Sequence, residues 1–249
     1  MLYVCIATQD NVSTIGLLLW KLRKVFHEFP REYHILVADD ASTDGTAETL
    51  ETYQRALPLT LTRQRQRIGT SRCLDLLLRD ALARSDRLRR DCVVTLPADF
   101  SHSPGVLPDL VRRFESGADV IIGESDLSGQ PFAMRLVRRW APWLLRPGVV
   151  LPGVRDLLSG VTLIRLVTLK NCLREGERPM LDTEGLAARA ELVARASASA
   201  RQISAVTIAP HTNGAAPRLP DPPLTVALSL FRAGRTLRIP RPETAIQRA

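Results

Sequence analysis

Short apolar runs alternate with amphipathic segments along the first half of the chain, and that rhythm sets the fold class. "LYVCIAT" reads as a strand, and "NVSTIGLLLWKLRKVFHEF" carries its apolar positions at helical spacing. "YHILVADD" is a second strand, followed by a helix from about Thr46 to Ala56. "LTLTRQ" and "TSRCLDLLLRDALARS" repeat the pair, "DCVVTLPADF" and "GVLPDLVRRFESG" repeat it again, and "ADVIIGES" is a fifth strand. Strands alternating with helices predict a mostly parallel sheet covered on both faces. The near-continuous apolar strands fit burial on both sides. After residue 125 the alternation dissolves. "GQPFAMRLVRRWAPWLLRPGVVLPGVRDLLSG" predicts an amphipathic helix from about Phe132 to Leu145 and then a loop. A strand in "GVTLIRL", an alanine-rich helix over about Asp182 to Ala200 and a strand in "QISAVTIAP" come next. A proline-rich loop and a basic amphipathic helix in "LTVALSLFRAGRTLRI" complete the pattern.

The second strand delivers two carboxylates, Asp39 and Asp40, to its own C-terminal end. Ligands of open α/β sheets bind outside the carboxyl ends of the strands, so the pair stands where a site belongs. Turn chemistry also accounts for the segment: Ser42, Thr43 and Asp44 suit a helix cap, and Gly45 relieves the turn. A phosphoacceptor receiver domain places acids at strand ends too, but is much shorter. A dinucleotide-binding fold would carry G-x-G-x-x-G after its first strand, where this chain reads "ATQDNVS".

Composition narrows the class without choosing among these. The chain has 249 residues, 45% apolar and 24% charged, enough for a sizeable core. Its four scattered cysteines fit buried thiols and a reducing compartment. No apolar stretch approaches the ~18 residues of a spanning helix, and "MLYVCIATQDN" lacks a basic leader. The expected location is the cytoplasm, with a peripheral place on the inner face of the cell membrane. The net charge of +8 is unevenly spread: residues 1–130 carry 16 basic and 18 acidic side chains, residues 131–175 carry 8 and 2. Arg135, Arg138, Arg139, Arg146 and Arg155, with Trp140 and Trp143, suit an anionic lipid head group or a membrane surface. A solvated helix face is the plainer explanation. Nucleic acid is not an expected partner, because no recognised binding module accompanies the charge.

"VADDASTDGTAE" closely resembles the V-V-D-D-G-S-T-D-G-T stretch of family 2 glycosyltransferases, and four further segments, one before it and three after, stand in the family's order. "ATQDN" stands where that family has P-T-Y-N-E, and "LPADFSHSP" resembles its D-A-D-L-S-H-x-P region. "VRDLLSGVTLIR" resembles the v-x-D-x-t-S-G-f-r segment of the dolichol- or polyprenyl-phosphate mannose synthase type. "GLAARAELVARASASARQISAVTI" follows the late e-l-x-x-a…i-x-E-V-P-i pattern. The resemblance spans about residues 1–212 and implies a GT-A-like (Rossmann-like) fold, a mostly parallel sheet flanked by helices. On it, 1–125 is the nucleotide-sugar-binding half, 126–212 the acceptor-side half, and 213–249 a proline-rich loop, basic amphipathic helix and tail.

The resemblance implies transfer of a sugar from a GDP- or UDP-linked donor to a polyprenyl phosphate or similar acceptor. Thr8, Gln9, Asn11, Asp39, Asp40, Arg67, Ala98 and Asp99 fall at its nucleotide positions, with Asp40 placed for base or ribose hydroxyls. Mg²⁺ or Mn²⁺, a hard cation, would be held by the D-x-D carboxylates to steady the diphosphate. Asp99 and Asp156 are the catalytic candidates, Asp99 through the metal and Asp156 by orienting or deprotonating the acceptor. Arg135, Arg138, Arg139 and Ser159 are the acceptor candidates.

The departures concentrate at polar site positions. Pro97 replaces the first D-x-D acid, so Asp99 is the acid that remains. Ala7, Gln9 and Asn11 replace the Pro, Tyr and Glu of P-T-Y-N-E, and Ser125 and Ala205 replace a late Arg and Glu. A member that has lost turnover and serves as a binding or structural subunit, at a membrane or in a complex, is the competing expectation. His102 in "FSHSP" is expected either beside the metal or as the organiser of a turn before Pro104.

Overall fold

The computed structural model describes residues 1–125, 132–144, 154, 156–173, 179–208 and 222–236. The first half follows the predicted rhythm: β1 (Leu2–Thr8), α1 (Val12–Glu28), β2 (Tyr33–Asp39), α2 (Thr46–Gln54), β3 (Leu59–Arg63), α3 (Thr70–Arg84), β4 (Cys92–Thr95), α4 (Leu107–Glu115) and β5 (Val120–Ser125). The second half holds α5 (Phe132–Leu144), β6 (Thr162–Arg165), α6 (Leu166–Cys172), α7 (Gly185–Ala198), β7 (Ile203–Ile208) and α8 (Pro223–Thr236).

Three of the departures from the sequence pattern have a plain physical reason. The strand expected to run to Phe100 stops at Thr95, two residues before Pro97, which has no N–H to give to a ladder. The apolar run after β6 turns directly into α6, because so short a run shows no period that separates strand from helix. The alanine-rich helix starts at Gly185 rather than Asp182, since the Asp182 and Thr183 N–H groups are taken by the Glu191 carboxylate.

Seven strands form one sheet in the order β3-β2-β1-β4-β6-β5-β7. All pairings are parallel except those of β6, which runs antiparallel to β4 and β5. β5 lies between β6 and β7, so one sheet continues across the expected division at residue 125. Alternate strand residues feed two cores. Tyr3 and Cys5 face α3, α5, α7 and α8, while Leu2, Val4 and Ile6 face α1, α2 and α4. The result is a three-layer α/β/α arrangement with α8 packed on α5 and α7. Burial pushes the Cys73 and Cys92 thiols up to about 12, as expected of inert packing groups. No helix among the described residues is long and apolar enough to cross a membrane.

Candidate functional site

β1 continues to β2 and β3 on one side, and the chain then crosses to β4 on the other. Such a reversal opens a crevice at the carboxyl ends of the two strands that flank it. Three loops meet there, and each holds one non-glycine residue in the left-handed region: Asp10 (φ 52°) after β1, Ala41 (φ 52°) after β2 and Phe100 (φ 55°) after β4. A side chain with Cβ pays about 1 kcal/mol or more for that conformation, and strain of this kind clusters at functional sites.

Hydrogen bonds lock the first two loops together. The Asp10 N–H donates to Ser42 Oγ at 2.9 Å, and Asp10 Oδ1 accepts from the Thr43 N–H at 2.9 Å. Arg67 reaches Asp10 Oδ2 from the loop before α3. The Thr43 N–H, and after it the Arg67 charge, hold the Asp10 carboxyl below the usual carboxylate range. Asn11 accepts from the Thr8 hydroxyl at 3.0 Å and donates its N–H to Thr46 Oγ1 at 2.9 Å. Asp44 accepts the first free N–H of α1, from Val12, and that of Thr46 in α2. Of the three residues expected to cap the next helix, Asp44 alone does so and serves two helix starts, whereas Ser42 and Thr43 bond Asp39 and Asp10 instead.

The acid pair is fully buried, and its two members have different surroundings. Asp40 accepts the Ile68 N–H at 2.7 Å and the Gly69 N–H at 3.0 Å, one on each oxygen. Each carboxylate oxygen has a second acceptor position, so Asp40 is fixed by backbone with capacity in reserve. Asp39 Oδ1 accepts from the Ser42 hydroxyl. Its Oδ2 lies 3.7 Å from Arg63 Nε and has no hydrogen-bond partner among the described residues. A buried acceptor left unmade costs about 1–3 kcal/mol, which a ligand donor would recover.

The loop after β4 carries the remaining D-x-D position. Pro97 and Ala98 are buried, and the Ala98 carbonyl accepts from the Thr14 hydroxyl at 2.8 Å. Asp99 is exposed, with Oδ1 taking the Ser101 N–H at 2.9 Å. His102 turns inward and bonds Ser101 Oγ at 3.0 Å and Ser125 Oγ at 2.7 Å. Burial, with the Arg189 charge adding to it, pushes the imidazole down to about 4. It is a neutral link between loops.

That link leads to Asp156. Its Oδ2 accepts from Arg138 Nη1 at 2.6 Å and from the Ser125 N–H at 3.3 Å, and its Oδ1 takes the Leu158 N–H at 2.9 Å. Asp156 and Arg138 are almost wholly buried. Arg138 thus points into the core, whereas Arg135 and Arg139 on the same helix are exposed on its outer face. Ser159 is buried, and its hydroxyl accepts the Val161 N–H at 3.3 Å. Arg146 and Arg155 lie outside the described residues.

Beside the crevice is a small cavity of about 90 Å³, lined by Thr70 and Ser71 of α3, Thr95, Pro97, Gly160 and Arg189. Gly160 (φ 79°) lies under Arg189, whose Nη1 donates to the Leu158 and Ser159 carbonyls. Glu184 reaches Ser71 at the start of α3, accepting its hydroxyl at 2.8 Å and its N–H at 3.2 Å. Sequence reasoning singled out neither Glu184 nor Arg189. Glu184 lies 113 positions from Ser71, so only the tertiary fold joins them. Its one local signal is an acid just before a helix-starting glycine.

A divalent cation fits this donor set in one way. Among the described residues no group of three or more His, Cys, Asp or Glu side chains could hold a metal. Asp99 offers one carboxylate, and Mg²⁺ or Mn²⁺ there would take its other ligands from substrate phosphates and water.

Residues 3–149 match the family described as Glycosyl transferase family 2. The dolichol-phosphate mannosyltransferase of Pyrococcus furiosus is 28% identical over 135 residues, which is 52% of this chain and 36% of that protein. The chain therefore spans about a third of that curated relative. Among solved structures, glucosyl-3-phosphoglycerate synthase of Mycobacterium tuberculosis, in complex with Mn²⁺, UDP and glucosyl-3-phosphoglycerate, superposes with a TM-score of 0.62 at 18% identity, over 93% of this chain and 76% of that one. A mannosyltransferase of Pyrobaculum calidifontis, in complex with GDP-Man and Mn²⁺, gives 0.58 at 16% identity, over 86% and 58%. At those identities the likeness is one of fold, the GT-A fold.

Proposed function

Because this chain belongs to glycosyl transferase family 2, we propose that it transfers a sugar from a nucleotide-sugar to a phosphate-bearing lipid acceptor. The observation that carries the donor side is the acid pair at the end of β2, above all the buried Asp39 Oδ2, which has Arg63 Nε at 3.7 Å and no hydrogen-bond partner among the described residues. A nucleoside supplies the N–H and O–H donors that such acceptors lack. Asp40 is held in place by two backbone N–H groups and would offer its remaining acceptor positions once the crevice opens to the nucleoside. Arg67 stands at the rim for a phosphate contact. A divalent ion, when bound, would neutralise charge on the leaving diphosphate, and Asp99 is the side chain that would hold it.

In the transfer, an acceptor oxygen forms a bond to the anomeric carbon as that carbon's bond to the diphosphate breaks. The nucleoside diphosphate leaves with the electron pair. A phosphate acceptor is already ionised at neutral pH and needs no base. Were the acceptor a hydroxyl, a carboxylate would have to take its proton, and Glu184, which bonds Ser71 of the cavity lining, is a candidate. Asp156, clamped by Arg138, acts as a positioning residue that fixes the Ser125–His102 side of the site. The lipid phosphate is supported by the name of the Pyrococcus relative and by the exposed Arg135 and Arg139 of α5.

Pro97 favours a second reading, a member that binds nucleotide without turnover. The purified chain is to be incubated with GDP- and UDP-sugars, polyprenyl phosphate in detergent and Mn²⁺, with glycolipid formation followed. Transfer that falls about a hundredfold or more in Asp99→Ala is the expected result. Nucleotide binding with no product from any donor would replace transfer by the binding role.

A further inference from the structure

We infer that the outer faces of α5 and α8 together form a docking surface for an anionic phospholipid bilayer, independent of which reaction the crevice performs. On α5, Phe132, Leu136, Trp140 and Trp143 recur at helical spacing and are 72%, 47%, 49% and 66% exposed. On α8, Leu224, Leu228 and Phe231 do the same, at 79%, 55% and 49%. The opposite side of each helix faces the core through Met134 and Ala141, and through Val226 and Leu230. The two helices pack against one another, so two exposed apolar stripes belong to one pair of neighbouring helices on one side of the sheet. Core packing, which explains amphipathic helices in general, is satisfied here by the other faces. Scattered exposed apolar residues are ordinary, but a contiguous set marks an interaction surface.

Charge selects the occupant. Neither α5 nor α8 contains an acid in its sequence, and of the three arginines of α5, Arg138 turns inward to Asp156 while Arg135 and Arg139 stay outside. Arg135 and Arg139 are exposed at the edge of the α5 stripe, with no carboxylate partner among the described residues. The Arg135 guanidinium lies 5.7 Å from the Phe132 ring centroid. Trp140 and Trp143 meet edge to face at 5.8 Å, and tryptophan is the side chain that favours the boundary between head groups and acyl chains. An apolar stripe rimmed by arginine and lacking acids is the pattern of a helix lying in the plane of an anionic bilayer.

The test is flotation of the full chain with vesicles of phosphatidylcholine, alone or mixed with phosphatidylglycerol. Co-flotation is expected with the mixed vesicles, weakening as salt rises. Trp140→Ser combined with Trp143→Ser should lower partitioning tenfold or more. Arg135→Glu combined with Arg139→Glu should lower it by roughly fivefold for each arginine. Trp20→Ser, on α1 across the sheet and 51% exposed, should float like the parent. Circular dichroism melting checks that each variant is folded. Failure of the parent to float with anionic vesicles, or flotation unchanged by the paired tryptophan change, would overturn the proposal. So would a self-associated parent that becomes monomeric in that variant, since the occupant would then be a second copy.

Discussion

Arg138→Ala should destabilise the protein by about 3–5 kcal/mol, the cost of leaving one member of a buried ion pair uncompensated. The Arg138 and Asp156 side chains are 4% and 1% exposed, with 2.6 Å between Nη1 and Oδ2. Water entering the space left by the side chain would solvate Asp156 without supplying the lost positive charge. Asp156 also holds the Ser125 and Leu158 N–H groups, so the loss spreads to the end of β5 and to His102. Adding Asp156→Asn to the alanine variant should restore a good part of the loss by removing the stranded charge. Urea unfolding measures both variants. A loss under about 1 kcal/mol for the single change would mean that the pair behaves as a surface salt bridge, contrary to its burial.

Asp40→Ala should cost about 1–3 kcal/mol, for a different reason. Its carboxylate is the acceptor for two successive backbone N–H groups, Ile68 and Gly69. Both donors are half-buried, so water offsets part of the about 1–3 kcal/mol that a fully buried orphaned donor costs. The damage should be local first: the Ile68 and Gly69 amides should lose protection from hydrogen exchange while those of β1 and β4 keep theirs. Exchange unchanged at both amides would show that some other group holds this loop. The same loop leads into Glu184's contact at Ser71, so a loosened start of α3 should also perturb the cavity.

Periodicity sufficed for the first half because each strand there is buried on both faces and each helix on one. The hydrophobic pattern and the three-layer packing are two views of the same constraint. It could not give the direction of β6, since an apolar run reads alike whichever way the chain traverses the sheet. Nor could it separate β6 from α6 within one short apolar segment. Strand ends located the crevice, and the resemblance supplied what it is for. The roles within it were less legible. Neighbours in sequence at the end of one strand, Asp39 and Asp40 point to opposite faces, so one meets Ser42 and Arg63 while the other meets the loop before α3. Arg135, Arg138 and Arg139 look alike in a charge count. The helical turn sends the middle one inward to Asp156 and the other two outward. Glu184 and Arg189 gave little warning because their partners, Ser71 and Gly160, are distant along the chain.

The most direct measurement of the central claim, that the strand ends receive a nucleoside diphosphate, is calorimetric titration of the purified protein with UDP and with GDP, each with and without Mn²⁺. One of the two should bind in the micromolar range and more tightly with Mn²⁺, and Asp39→Ala should weaken it by roughly tenfold or more. Absence of binding to either nucleotide under every condition would contradict the claim.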